Sequence, residues 1–143
     1  MLTITKTFKF NAAHRYRKLD WTDEKNLQVF GKDFKTHGHN YELGVTLAGP
    51  ANTDTGFSAD LADLKVVVES QVIDILDHSQ IELDVAWFAE RQPSSENLVL
   101  FIWQQLHGKF KGAAELANVR LYETATIYAE YDGEPGIETL LKG

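Results

Sequence analysis

Three of the five histidines are spaced for metal chemistry. His37-Gly38-His39 is an H-x-H pair, and on an extended strand residues two apart point to the same side. The pair shares parity with Tyr41, Leu43, Val45 and Leu47, and His14 shares parity with Phe8 and Phe10 in an earlier alternating run. Antiparallel pairing of the two runs would bring all three imidazoles to one end of a sheet. Three neutral nitrogens at about 2.0–2.1 Å from a zinc ion leave its fourth position open, the form of a catalytic site rather than a structural one. An isolated H-x-H pair is a weak metal signal, because histidines at strand ends commonly serve packing or surface roles. The third histidine on a matching face turns the pair into a candidate site.

Other side chains suit proton transfer or ligand binding. His78 follows Asp77 where a helical pattern ends. A cationic imidazole there complements the helix dipole; alternatively, a carboxylate-oriented imidazole acts as a charge-coupled acid–base group. Glu123 interrupts an apolar stripe, and a lone carboxylate on a buried face is costly unless something pairs with it. Either it faces a solvated end of the sheet, or it receives donors from a ligand such as the guanidine-like edge of a heterocycle. Glu96 follows Ser94 and Ser95 in the first turn of a helix, where capping and dipole complement account for it. His107, before Gly108, reads as a cap at that helix's other end. The segment from Arg15 to Thr36 carries six basic against four acidic side chains in an otherwise acidic chain. It could meet an anionic substrate such as a phosphate ester, or be an ordinary solvated loop.

The elements that must position these groups are legible as periods. Leu2, Ile4, Phe8, Phe10 and Ala12 alternate up to His14, and the run from His37 to Ala48 alternates likewise, so each reads as a strand with one buried face. Leu61, Leu64, Val68, Val72 and Ile75 fall on a helical stripe, with Ser58 as N-cap and Asp60 and Asp63 near the first turn. A second helix starts around Pro93-Ser94-Ser95-Glu96, turns Leu98, Phe101 or Ile102, and Leu106 inward, and ends at His107-Gly108. Val119 to Tyr131 alternates again; thirteen residues are long for one strand, so a tight connection is expected near Thr124 to Thr126. The segment from Arg15 to Thr36 shows no period. This ββααββ order predicts an α+β fold, an antiparallel four-stranded sheet with two helices on one face, in a single domain over residues 1–143.

Composition narrows the function. With 143 residues, 43% hydrophobic and 24% charged, the chain suits one globular domain. A net charge of −7 argues against nucleic acid and anionic membrane surfaces as partners. The absence of cysteine removes disulfides, thiolate metal sites and cysteine nucleophiles. The first residues alternate rather than forming the apolar core of a signal peptide, and the longest apolar run, Leu98 to Trp103, is far short of a membrane span. The cytoplasm is the expected location.

Taken in order, Phe10-Asn11-Ala12-Ala13-His14, Asn26-Leu27-Gln28-Val29-Phe30-Gly31-Lys32, His37-Gly38-His39-Asn40-Tyr41, Leu61-Ala62-Asp63-Leu64-Lys65, Leu76-Asp77-His78, Ser95-Glu96-Asn97-Leu98 and Tyr122-Glu123-Thr124 span almost the whole chain. This set resembles the 6-pyruvoyl-tetrahydropterin synthase family, which also contains the bacterial 6-carboxytetrahydropterin synthases. Phe30-Gly31-Lys32 and the stretch from Leu83 to Ala89 look closer to the 6-pyruvoyl branch.

The resemblance implies the tunnelling fold (T-fold), in which three subunits close their sheets into a barrel and two trimers stack as a homohexamer with active sites between subunits. It implies Zn2+ on His14, His37 and His39, and Asp77 with His78 as part of the acid–base group. Glu123 would anchor the amino-pyrimidine edge of a pterin, with Thr124 and Glu96 also binding substrate. The usual substrate is a small molecule, 7,8-dihydroneopterin triphosphate, whose charge suits the basic segment. The implied activity is that of a zinc-dependent carbon–oxygen lyase, eliminating triphosphate and tautomerising the side chain. One departure matters: the 6-pyruvoyl enzymes follow Phe-Gly-Lys with a cysteine base, whereas this chain has Asp33, and the loop from it to His37 is about two residues shorter. A carboxyl group, with an ordinary pKa near ~3.9 against ~8.5 for a thiol, is intrinsically the weaker base. Some relatives carry a glutamate near this point and cleave the side chain to a 6-hydroxymethyl pterin. Asp33 therefore keeps three outcomes open: elimination, cleavage to 6-hydroxymethyl- or 6-carboxy-type products, and a non-catalytic pterin-binding homologue.

Overall fold

Each alternating run becomes a strand because it has one apolar side to bury and one polar side to leave in water. In the computed structural model, which describes residues 1–141, β1 spans Thr3–His14 and pairs antiparallel with a strand over His37–Ala48. The register sets Phe10 opposite Tyr41, Ala12 opposite His39 and His14 opposite His37. Between the two lies a helix that the periodicity misses, α1 over Asp23–Phe30, followed by a 3-10 turn over Gly31–Phe34. It has no apolar stripe to detect, since Asn26 is its one buried residue. Polar bonds hold it instead. The Asn26 amide accepts from the Lys18 N–H at 2.7 Å and donates to the Lys18 and Thr22 carbonyls. Thr22 caps the helix through the Lys25 N–H, and Gly31, in the left-handed region at φ 59°, ends it. The strand over His37–Ala48 is β2.

The next helix, α2, runs over Leu61–Val68, widens into a π-turn at Glu69–Ile73 and finishes as α3 over Asp74–Leu76. Its N-cap is Asp60 rather than Ser58: the Asp60 carboxylate accepts from the Ala62 and Asp63 N–H groups at 3.0 and 3.1 Å. The buried stripe also differs from the expected one. Leu64, Val68, Val72 and Leu76 are fully buried, whereas Leu61 and Ile75 are exposed. A spacing of four drifts around a regular α-helix, and the wider i→i+5 turn keeps this row facing inward. The chain then forms β3 (Ser79–Gln80), α4 (Ile81–Asp84), a 3-10 turn at Ala86–Phe88 and α5 (Ser95–Leu106). Ser94 caps α5 through the Asn97 N–H, and the helix stops at His107 with Gly108 at φ 76°, as the sequence indicates.

The terminal run is two strands, β4 (Glu115–Thr124) and β5 (Ile127–Tyr131), joined by the tight connection expected there, with a short α6 (Ile137–Leu140) after them. The sheet order is β3-β1-β2-β4-β5. It is thus five-stranded rather than four-stranded: β3 adds two residues parallel to β1 at Ala12 and Ala13, too short a stretch to carry a period. The ββααββ order holds for the long strands and the two main helical segments, with α1 and the short helices inserted. The core lies between one sheet face (Phe10, Tyr41, Leu43, Val45, Leu121) and the helices (Leu64, Val68, Leu98, Ile102, Leu106). Among the described residues no helix is long and apolar enough to cross a membrane.

Candidate metal centre

The β1–β2 register carries out the convergence that the histidine spacing predicts. His14 stands opposite His37, and His39 lies one step diagonally away on the same face. The ring centroids are 4.6 Å apart for His14 and His37, 5.0 Å for His14 and His39, and 5.1 Å for His37 and His39. One ring nitrogen from each lies within 4.8 Å of the others, so the three together can hold a metal ion.

The hydrogen bonds orient the donors. His14 is fully buried, and its Nδ1 lies 2.7 Å from the Pro93 carbonyl, so Nδ1–H donates there. Its Nε2 is buried without a hydrogen-bond partner. His37 repeats the pattern, with Nδ1 2.7 Å from the Lys35 carbonyl. Metal-binding histidines are typically held this way, one ring nitrogen donating to a carbonyl and the other left free for the metal. An orphaned buried nitrogen costs roughly 1–3 kcal/mol, and a cation held between it and the ring nitrogens of His37 and His39 is the group that would satisfy it. The donor set fits zinc.

Burial pushes the His14 pKa down to about 4, with the charges of His37 and His39 adding to the fall and the Pro93 carbonyl opposing it. The ring is therefore neutral at pH 7, as a metal ligand must be. Because the folded value lies below the ordinary 6.5, the unfolded chain takes up this proton first as the pH falls. The stabilisation is present above about pH 6.5 and is lost on descending to about pH 4. In metal-free protein we expect His14 to account for a loss on the order of 3 kcal/mol across that window. Urea melts of the wild type and of His14→Gln in chelator would check it: the variant should start less stable and show the smaller decline.

Carboxylates surround the triad. Glu123 occupies a register irregularity where Tyr122 pairs with Tyr128 and Thr124 with Ile127, leaving Glu123 unpaired in the ladder. Such a bulge re-aims a side chain. Here the Glu123 Oε1 lies 3.5 Å from His39 Nε2 and 3.7 Å from His14 Nε2. Of the two placements the sequence allows, this carboxylate is mostly shielded, with 18% of its side chain exposed, and faces the histidines. Asp33, on the 3-10 turn, brings Oδ1 to 3.9 Å from His37 Nε2. Its turn is tied to β1's extension by the Tyr16 N–H donating to the Asp33 carbonyl at 2.9 Å.

Tyr16, which the sequence reading passes over, packs its ring 5.0 Å from His14. Burial, then the charges of Glu123, Glu96 and Asp33, push its phenol well above the ordinary range. One neutral hydroxyl thus sits in the field of three of the four carboxylates that the sequence nominates. Its only sequence signal is even parity with His14 just past the strand.

The remaining candidates divide. Asp77 and His78 form an ion pair, His78 Nδ1 to Asp77 Oδ2 at 3.0 Å. The Asn11 backbone fixes the pair: its N–H donates to Asp77 Oδ1 at 2.9 Å and its carbonyl accepts from the His78 N–H at 2.6 Å. That Asn11 N–H, with His78 assisting, holds the Asp77 carboxyl below its ordinary value. His78 adopts φ 63°, uncommon for a non-glycine residue, and 80% of its side chain is exposed. Among the described residues, no hydrogen bond, ion pair or ring contact joins this pair to the triad of the same chain. Thr124 uses its hydroxyl on the β4–β5 connection, accepting from the Thr126 N–H at 3.3 Å. Glu96 is exposed in the first turn of α5. Much of the basic segment is engaged locally. The Arg15 guanidinium donates to the Phe34 carbonyl and stacks on the Phe34 ring, and Lys18 and Lys25 lie over Trp21.

Comparison with known proteins agrees with this geometry. The sequence signature of the family described as 6-pyruvoyl tetrahydropterin synthase matches residues 3–134. A 6-pyruvoyl tetrahydrobiopterin synthase of Pongo abelii is 37% identical over 92% of this chain and 91% of its own. A 6-carboxy-5,6,7,8-tetrahydropterin synthase of Haemophilus influenzae is 28% identical over 92% of this chain and 99% of its own. The solved Caenorhabditis elegans 6-pyruvoyl tetrahydropterin synthase superposes with a TM-score of 0.84 at 32% identity, covering 92% of this chain and 95% of that one. In sequence and in the T-fold that carries its three histidines, this chain belongs to the 6-pyruvoyl tetrahydropterin synthase family.

Proposed function

We propose that the protein is a zinc-dependent carbon–oxygen lyase that acts on 7,8-dihydroneopterin triphosphate or a close pterin, eliminating triphosphate and tautomerising the side chain to the 6-pyruvoyl product. The observation that carries this reading is the triad, in which a fully buried, neutral His14 presents an unpartnered Nε2 beside His37 and His39. Zn2+ on these three residues would supply Lewis-acid polarisation of the substrate's side-chain oxygens, which acidifies the adjacent C–H bonds.

The chain's own groups handle the protons. The Asp33 carboxylate takes the proton from the side-chain carbon, and triphosphate departs with the electron pair of the broken C–O bond. Asp77 orients the His78 imidazole so that it exchanges protons as the resulting enol becomes a ketone. Glu123, Thr124 and Glu96 bind the substrate. The working form is a homohexamer of two trimers, with the Asp77–His78 pair of one subunit serving the triad of the next. Two observations support this arrangement: among the described residues no hydrogen bond, ion pair or ring contact joins the pair to its own triad, and the edge strand β5 leaves Ile127 and Tyr128 exposed.

Asp33 in the place of the cysteine favours a second reading, side-chain cleavage, because a different base can select a different bond. Incubating zinc-loaded protein with dihydroneopterin triphosphate and identifying products by mass tests both. We expect the 6-pyruvoyl product with release of triphosphate. A 6-hydroxymethyl or 6-carboxy product would replace elimination with cleavage, and bound but unchanged pterin would leave a binding protein.

A further inference from the structure

Beyond the strand itself, the segment that follows His14 is held by side chains where a neighbouring strand would otherwise pair with it. The Arg15 N–H donates to Glu82 Oε1 at 2.9 Å. At Arg17 the pairing is reciprocal: the backbone N–H donates to Gln92 Oε1 at 3.1 Å, and Gln92 Nε2 donates to the Arg17 carbonyl at 2.7 Å. One primary amide thus satisfies both backbone groups of a residue three positions past the metal ligand.

The same glutamine is fixed from its other side. Its backbone carbonyl accepts from Asn97 Nδ2 at 2.9 Å, and Asn97 belongs to the capped first turn of α5, where its N–H donates to Ser94 Oγ. The residue after Gln92 is Pro93, whose carbonyl receives the His14 Nδ1–H. The hydrogen bonds therefore close a ring: His14 to Pro93, Gln92 to Arg17, and along β1's extension back to His14. Removing the amide opens that ring and frees the Pro93 carbonyl to drift from the imidazole.

We propose that Gln92 is a positioning residue for the metal ligand His14, holding the Pro93 carbonyl where it selects the Nδ1–H tautomer and aims Nε2 at the ion. The inference rests on the reading that the triad binds zinc. Gln92 is half-buried and lies outside the core cluster, so its amide pair with Arg17 is what its side chain contributes.

Gln92→Met keeps the length of the side chain and deletes the amide, and Asn97→Ala releases the loop from the other side. The test measures zinc affinity of wild type and both variants by competition with a chromophoric chelator at pH 7. It also follows the imidazole 15N resonances of the metal-free proteins. Outer-shell partners of metal-bound histidines are typically worth 10–100-fold in affinity; for a group one bond further out we expect Gln92→Met to weaken zinc about tenfold. Asn97→Ala should act in the same direction, and the His14 signals of both variants should change from a single Nδ1–H form to a mixture. A folded Gln92→Met protein with wild-type zinc affinity and an unchanged His14 tautomer would overturn the proposal, even if its melting temperature had fallen. A wild type that binds no zinc would overturn the metal reading beneath it, and the tautomer comparison in metal-free protein would still decide whether Gln92 positions His14.

Discussion

His39→Ala should leave a folded protein that holds zinc at least about 100-fold more weakly and turns over pterin at least about a thousandfold more slowly. His39 is the informative choice among the three candidate ligands. His14 is fully buried beside the core residue Tyr41, so replacing it mixes a cavity with the lost candidate ligand. His39 keeps 20% of its side chain exposed at the outer end of β2, where truncation should cost less than about 1 kcal/mol of stability in metal-free protein. The catalytic loss follows from the chemistry a Lewis acid supplies. Polarising an oxygen is worth several kcal/mol of transition-state stabilisation, and each 1.36 kcal/mol is about a factor of ten in rate. Zinc content by elemental analysis, urea melts in chelator and product formation by mass give the three readings. Stoichiometric zinc and full turnover in a well-folded His39→Ala protein would remove the triad from the mechanism.

What the sequence discloses about this site, and what it withholds, has a common cause. Alternation exposes whatever one strand face must bury, so His14, His37 and His39 stand out because each shares parity with core residues such as Phe10 and Tyr41. The same logic marks Glu123 as anomalous, although only the bulge between Tyr122 and Thr124 shows where its carboxylate points. Features built from polar contacts leave no such trace. Helix α1 is held by the Asn26 amide and a threonine cap rather than by an apolar stripe, and the Gln92–Arg17 pair is visible only once two distant segments meet. The π-turn at Glu69–Ile73 escapes for a related reason: a helical template assigns the stripe to Ile75, whereas a single wider turn moves the burial to Leu76 and places Asp77 beside Asn11. The order of motifs that identifies the family lies across these local failures, because it depends on residue identity and not on period.

Asp33→Asn should lower turnover by about 10²–10⁴-fold, the usual contribution of a positioned general base, while zinc content stays at the wild-type level. The substitution preserves shape and removes the negative charge together with the ability to accept a proton. The placement motivates the prediction: Oδ1 of Asp33 lies 3.9 Å from His37 Nε2, on a turn anchored to β1's extension by the Tyr16 N–H. The side chain is 63% exposed, so the fold does not depend on its charge. Asp33→Cys separates a base from a mere electrostatic neighbour. A thiol, with an ordinary pKa near ~8.5, reacts as its thiolate, so if this position supplies the base the activity should return with its rising limb displaced toward alkaline pH. Products should be identified in the same experiment, since the base decides which bond is broken. An Asp33→Cys protein whose pH profile matches the wild type would leave position 33 only an electrostatic role. Full activity in Asp33→Asn would assign the proton transfer to another group, of which Glu123, facing His14 and His39 across the triad, is the nearest in character.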